Sequence, residues 1–319
     1  MNARMIPMIK RLFLNLALAS AAQAQWEPLP PLPEPNGGFF AGHREGRIVI
    51  VGGTNWLGGK KNWLSTVHTY DPAQRVWTKR HDMLSAMAYG QSFQDANALL
   101  LLGGSDGKQA LKTLGDAKSG KMTQVAQLPS TMVLFSGGWV GGKMIFAGGT
   151  DDAAHLAGVT SATYSYDHGK VARLTDCPGR PFATAASAVV KDELFVFGGM
   201  NYDAETKLPV NTAEAYAFSP DKNTWRKLKS LAAATRGLSA IALDENHVYV
   251  AGGYAGDFTA DAVIYDVQAD SYRTAKPLPY AAMVTLVKLD GFVYCLGGED
   301  KKQSRTDKFF RIPVVELLR

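Results

Sequence analysis

The chain has 319 residues, of which 46% are hydrophobic and 20% charged, and a formal net charge of +5. That balance excludes a disordered or collagen-like chain and allows one large globular domain. No Lys/Arg run with interleaved aromatics is present, so nucleic acid is not expected as a partner.

Residues 1–24 read as a signal peptide. Arg4, Lys10 and Arg11 make a basic start, Leu12 to Ala19 an apolar stretch, and Ala22-Gln23-Ala24 a small-x-small cleavage site. The apolar stretch is too short to span a bilayer and is interrupted by Asn15. Its removal lowers the net charge from +5 to +2, so most of the basicity is a targeting signal. The expectation is export to the periplasm, with no membrane association after cleavage. Cys177 and Cys295 fall on opposite sides of the repeat ring described next and read as small core residues rather than as a disulfide.

From Gln25 to Arg319 the chain is periodic. Six short apolar runs each end in a diglycine, at Gly52-Gly53, Gly103-Gly104, Gly148-Gly149, Gly198-Gly199, Gly252-Gly253 and Gly297-Gly298. Successive diglycines lie 51, 45, 50, 54 and 45 residues apart. A period near fifty with strand-like runs predicts an all-β, six-bladed β-propeller. A second element recurs out of phase with the first, pairing Trp26 with Leu32, Trp77 with Met83, Met122 with Leu128, Val171 with Cys177, Trp225 with Leu231 and Tyr272 with Leu278. Its first copy precedes the first diglycine and none follows the last. The residues after Gly297 and those from Gln25 to Gly52 together make 50, one further period. The N-terminal strand is therefore expected to complete the last blade, leaving no long free edge.

Each blade reads as four antiparallel strands. The innermost is rich in small residues, as in Gly37 to Gly42 and Ala88 to Ser92; the second ends in the diglycine, the third carries an aromatic such as Tyr70, and the fourth holds the Trp-x5-Leu element. Antiparallel order puts the entry to strand one and the exit from strand two on one face, the mouth of a central channel. Entries bring Asn36, Tyr89, Phe135, Arg180, Arg236 and Tyr280 there; exits bring Asn55, Trp56, Asp106, Asp151, Asn201, Tyr254, Glu299 and Asp300. Asp106, Asp151 and Asn201 fit ordinary turns, Lys60 and Lys61 a solvated loop, and Trp77, Trp225 and His68 packing positions. The histidines have no metal-site spacing. Glu299 and Arg305 stand out: a carboxylate and a guanidinium are held across one loop over the mouth, a pair able to move a proton and grip an anion.

The pattern resembles the kelch repeat. More narrowly, four stretches are similar to the kelch-type N-acetylneuraminate epimerases, the sialic acid mutarotases. Gly297-Gly298-Glu299 through Arg305-Thr306-Asp307 resembles the segment carrying that family's proposed catalytic pair. Gly37 to Gly42 resembles its Gly-Gly-Phe-Ala-Gly segment, Gly59 through His68 its Lys-Lys-x-x-Ser-Thr-x-x-His segment, and Ala88 to Ser92 its Ala-Tyr-Gly-x-Ser segment. The order of these stretches is cyclically permuted, which is cheap in a ring whose ends meet in one blade. The family's longer insertions between blades are absent.

The resemblance implies an isomerase that interconverts the α and β anomers of N-acetylneuraminate by acid/base-catalysed ring opening. It makes Glu299 the proton shuttle and Arg305 the group that holds or stabilises negative charge, with Arg180, Arg236, Tyr89 and Asn55 as substrate contacts. It needs no metal or organic cofactor, and its partner is a small acidic sugar. The residues leave three alternatives open: a non-catalytic kelch propeller binding protein or glycan, a mutarotase for another sugar, and a sialidase-like glycosidase. The last is weakened because Ser219 to Trp225 repeats the spacing of Asp71 to Trp77 and is more simply the kelch turn.

Overall fold

The computed structural model describes residues 25–94, 98–124, 128, 132–153 and 156–319. The expected signal peptide, residues 1–24, lies outside the described residues. Six four-stranded antiparallel sheets follow one another as blades. Blade 1 comprises Phe40–Arg44, Arg47–Val51, Thr66–Asp71 and Val76–Asp82; blade 2 comprises Gln91–Gln94, Leu99–Leu102, Thr113–Asp116 and Met122–Gln124. Blade 3 comprises Ser136–Val140, Lys143–Ala147, Thr163–Asp167 and Lys170–Leu174; blade 4 comprises Ala186–Val190, Glu193–Phe197, Ala215–Ser219 and Thr224–Lys227. Blade 5 comprises Ser239–Ala242, His247–Ala251, Ala262–Asp266 and Ser271–Thr274. Blade 6 comprises Met283–Leu289, Phe292–Glu299, Phe309–Pro313 and the N-terminal Glu27–Pro28.

The closure is as expected. Glu27 pairs with Arg311 and Pro28 with Phe310, and Arg311 Nε donates to Glu27 Oε2 at 2.6 Å. The second strands read as unbroken apolar runs because neighbouring blades cover both of their faces. Ile48 to Val51, Leu194 to Phe197 and Val293 to Leu296 are all buried. A half-exposed strand would alternate instead.

The diglycine joins each blade to the next. The N–H of its second glycine donates to a carbonyl of the following blade: Gly53 to Met87, Gly104 to Met132, Gly149 to Phe182, Gly199 to Thr235 and Gly253 to Ala282, at 2.7–3.0 Å. Gly298 closes the ring on Asn36 at 2.8 Å. The first glycine lies against the same carbonyl. A Cβ on Gly52 would stand 2.1 Å from Met87 O, and one on Gly297 would stand 2.5 Å from Asn36 O. Both glycines also adopt positive φ, so no other residue fits this contact.

The second repeat has a matching cause. The indole N–H groups of Trp26, Trp77 and Trp225 donate to the carbonyls of Pro277, Pro30 and Thr175, and the Tyr272 hydroxyl donates to Lys229 O. Each acceptor lies one or two residues before the apolar member of the preceding copy, so every such bond ties one outer strand to its neighbour. Cys177 and Cys295 are free thiols buried in separate core clusters, and burial pushes them up to about 11 and about 12. Among the described residues no helix is long and apolar enough to cross a membrane.

Candidate functional site: the channel mouth

Entry and exit meet on one face as antiparallel order requires. Gly37 bridges Thr54, Ala88 bridges Ser105, Val133 bridges Thr150, Ala183 bridges Met200, and Arg236 bridges Tyr254; in blade 6 Met283 pairs with Glu299. Glu299 therefore occupies the position that Thr54, Ser105, Thr150, Met200 and Tyr254 hold elsewhere. The inner strands begin a little later than the small-residue runs suggested, with Phe40 and Gln91 the first residues in regular pairing. Their hydroxyls tie blade to blade. Ser92 Oγ accepts from Ala41 N at 3.0 Å, and Ser187 Oγ donates to Gly137 O at 3.0 Å.

The residue after each bridge forms a collar that the sequence did not reveal. Gly38, Tyr89, Leu134, Thr184 and Gly237 all have φ between 54° and 70°. Tyr89 N donates to Gly38 O, Leu134 N to Tyr89 O, Thr184 N to Leu134 O and Gly237 N to Thr184 O, at 2.8–2.9 Å. This head-to-tail chain runs around the mouth through five blades. Three of its five members are not glycine, and such strain persists where the surroundings impose it. The collar, Phe39, Met283, Glu299 and Arg305 enclose a cavity of 210 Å3 that continues into the channel.

Blade 6 supplies the charged side of that cavity. Arg305 Nη1 lies 3.1 Å from Glu299 Oε2 and donates to Ser304 O at 2.6 Å; Nη2 donates to the Tyr89 hydroxyl at 2.9 Å. That hydroxyl shares a 3.0 Å bond with Thr54 Oγ1, which donates to Gly37 O. The loop ends are pinned by Thr306 N donating to Gly298 O at 3.0 Å. The Arg305 side chain is 5% exposed and Glu299 is 32% exposed. Gly37 makes room for the guanidinium arm, since a Cβ there would lie 2.4 Å from Arg305 Cδ. Among the residues lining the cavity, the buried Arg305 Nε and Thr184 Oγ1 have no hydrogen-bond partner.

Lys61 also reaches the site. It sits on a hairpin raised over the mouth, Thr54–Leu57 with Lys60–Trp63, and its Nζ lies 4.5 Å from the Tyr89 ring centroid. Expected as part of a solvated loop, it is instead turned inward; Lys60 is exposed. Burial alone would raise the Tyr89 hydroxyl, but Arg305, Lys61 and its hydrogen bonds outweigh that and hold it below the usual 10.

Of the residues singled out in the sequence, Glu299, Arg305 and Tyr89 thus form one network. Asn55 lies beside it, buried, donating to Glu34 Oε2 at 2.8 Å and accepting from Asn62 at 3.0 Å. Arg236 is on the blade 5 rim, 4.6 Å over the Tyr254 ring and donating to Asn211 at 3.0 Å. Arg180 is not brought to this cavity. It lines a separate groove with Glu214, Tyr216 and Lys227, because the chain between it and Thr184 is still crossing from the outer strand toward the mouth. Asn201 is not a turn residue either: Met200–Asp203 and Leu208–Asn211 form a second raised hairpin.

Comparison with known proteins bears on what this site does. A family model described as "Kelch motif" matches residues 36–84 and 181–232, which contain all four strands of blade 1 and of blade 4. The chain is a six-bladed β-propeller, two of whose blades match the kelch motif. Kelch-like protein 25 of Xenopus tropicalis is 28% identical over 81% of this chain and 44% of its own length. Kelch-like protein 25 of Homo sapiens is 26% identical over the same shares, and Kelch-like protein 36 of Mus musculus 25% identical over 89% of this chain and 47% of its own. The propeller chain thus spans less than half the length of these curated relatives. Their names point to a kelch propeller and not to an isomerase. That overturns the expectation of an enzyme drawn from the mutarotase resemblance, whose supported part is the kelch repeat.

Proposed function

We propose that this protein is a non-catalytic kelch propeller that binds a protein partner across its mouth face. The observation that carries the reading is the placement of exposed apolar side chains. Of six large apolar residues exposed among the described residues, Leu57 lies on the first raised hairpin, Leu208 and Val210 on the second, and Leu84 follows the mouth-side end of the outer strand of blade 1. Exposed apolar side chains gathered on one face favour docking over solvation, and the kelch relatives support the same reading. Selection of displayed peptides against the wild type, with counter-selection on a Leu57→Asp, Leu208→Asp variant, tests it. Peptides that bind the wild type saturably should lose at least tenfold in affinity for the variant. Equal binding to both proteins would remove the mouth face from the interaction.

A second reading rests on the 210 Å3 cavity beside Arg305. Its size and its guanidinium suit a small acidic sugar, bound without conversion. N-acetylneuraminate should then show saturable binding that Arg305→Met weakens at least tenfold, while anomer-resolved NMR shows no faster equilibration than in buffer. Acceleration by the protein would overturn the non-catalytic assignment itself. Export to the periplasm is proposed with these readings on the strength of residues 1–24 alone, and microscopy or fractionation of the tagged full chain checks it.

A further inference from the structure

On the face opposite the mouth, a cavity of 340 Å3 opens between blades 1 and 2. Its position follows from strand alternation, since the hairpin joining the first two strands of blade 1 must lie at the end away from the diglycine. That hairpin contributes Arg44, Glu45 and Arg47. Arg80 and His81 come from the outer strand of blade 1, and Lys118 from the turn after Thr113–Asp116 in blade 2. Val49, Val67 and Ala117 form an apolar floor.

Two features distinguish this groove from a solvated basic surface. The first is charge balance. Arg44 pairs with Glu45 at 3.4 Å and Arg47 with Asp71 at 3.2 Å, whereas Arg80 and Lys118 make no ion pair among the described residues. Two cations facing one cavity are thus left uncompensated. The second is a bulge. Val67 pairs with His81 but the next residue, His68, pairs with Lys79, so Arg80 is the extra residue of the outer strand. Consecutive residues of a regular strand point to opposite faces; here Arg80 and His81 both line the groove. His81 Nε2 is buried there without a hydrogen-bond partner, and Gly120 leaves it space, since a Cβ would lie 3.3 Å away.

We infer that this groove is an anion site for a small phosphate-bearing ligand, with Arg80 and Lys118 holding the phosphate and the Val49, Val67 and Ala117 floor receiving the organic part. A dianion matches the two uncompensated charges, which a single carboxylate does not, and Arg presents a planar fork of donors to phosphate oxygens. His81 Nε2 stands beside the ligand as a further polar contact. The site is independent of the mouth and of any ligand there.

Inorganic phosphate is the probe, titrated into the full chain and followed by amide resonances of Ala117 and Lys118, with acetate as the carboxylate arm. Saturable shifts with phosphate, at least tenfold weaker with acetate, are expected. Arg80→Gln with Lys118→Gln, both exposed positions, should weaken phosphate at least tenfold with an unchanged circular dichroism spectrum, while Arg305→Met leaves it unaltered. The inference is overturned if no saturable shift appears at millimolar phosphate, if acetate binds as well, or if the double variant binds like the wild type.

Discussion

The mouth and the opposite groove treat charge in contrasting ways. At the mouth, the Arg305 guanidinium is almost fully buried and already bonded to Glu299, Tyr89 and the Ser304 carbonyl, with only Nε left unpartnered, so an incoming anion must compete with Glu299 for it. In the groove, Arg80 and Lys118 are exposed and unpaired among the described residues, so an anion meets them directly. The mouth is thus preorganised, with most of its guanidinium already paired, which suits recognition by shape and hydrogen bonds. The groove is open, and its attraction should fall with salt. The contrast originates in the chain: blade 6 carries its acid and base on one short loop, whereas the groove collects its cations from two blades.

The largest effects should come from the glycines that shape each region. A Cβ on Gly298 would lie 2.1 Å from Met283 O and 3.0 Å from Val284 Cα, at φ of 104°, where neither backbone can move without opening blade 6. Gly298→Ala should cost roughly 3 kcal/mol of unfolding free energy, or prevent folding. In the groove hairpin Gly46 has φ of 70° and nothing within 4 Å of the methyl an alanine would bring, so Gly46→Ala should cost only about 1 kcal/mol. Denaturant unfolding of the two variants compares them, and equal costs would show that the mouth's close backbone contact contributes nothing beyond strain.

Removing one ion-paired arginine from each region should give smaller and again unequal losses. Arg305→Ala leaves Glu299 and Tyr89 facing a void, and because Glu299 is partly solvated the cost should be about 2 kcal/mol, below that of a fully buried pair. Arg47→Ala, whose side chain is 44% exposed in its pair with Asp71, should cost less than about 1 kcal/mol. Comparable shifts in unfolding midpoint would mean that Arg305 is not the keystone its contacts make it.

The propeller was legible because its causes are local and recur. The diglycine makes one bond per blade and the Trp-x5-Leu element makes its bond in four of its six copies, so the repeats carry the signal, and the closing strand follows by counting. Glu299 and Arg305 were legible because one loop carries both. Features set by contacts between distant segments were not. Nothing local in Tyr89, Leu134 or Thr184 announces a left-handed backbone, since the neighbouring blade imposes it. Lys61 looked like a solvated loop residue because its target, Tyr89, belongs to the next blade. The Arg80 bulge exists only in the register of two strands. Arg180 was placed at the mouth by counting back from the inner strand, which ignored the crossing from the outer edge. The expected isomerase was read from motifs, and the kelch relatives, not the geometry, overturn it.

The subtlest difference between the regions is one of pH, and it isolates Tyr89. Its burial alone would raise the hydroxyl, yet Arg305, Lys61 and the bonds from Lys61 and Thr54 hold it below the usual 10. For an acid whose folded pKa is depressed, the stabilisation is fully present above the unfolded value and is lost as pH falls through the folded one. The margin of the wild type over Tyr89→Phe should therefore widen as pH rises from the folded value toward 10, and Lys61→Met should shrink that widening. Unfolding measured at a series of pH values reads both. A margin for Tyr89 that stays flat up to pH 10 would mean the two cations do not act on the hydroxyl, and the mouth would lose its claim to be electrostatically preorganised.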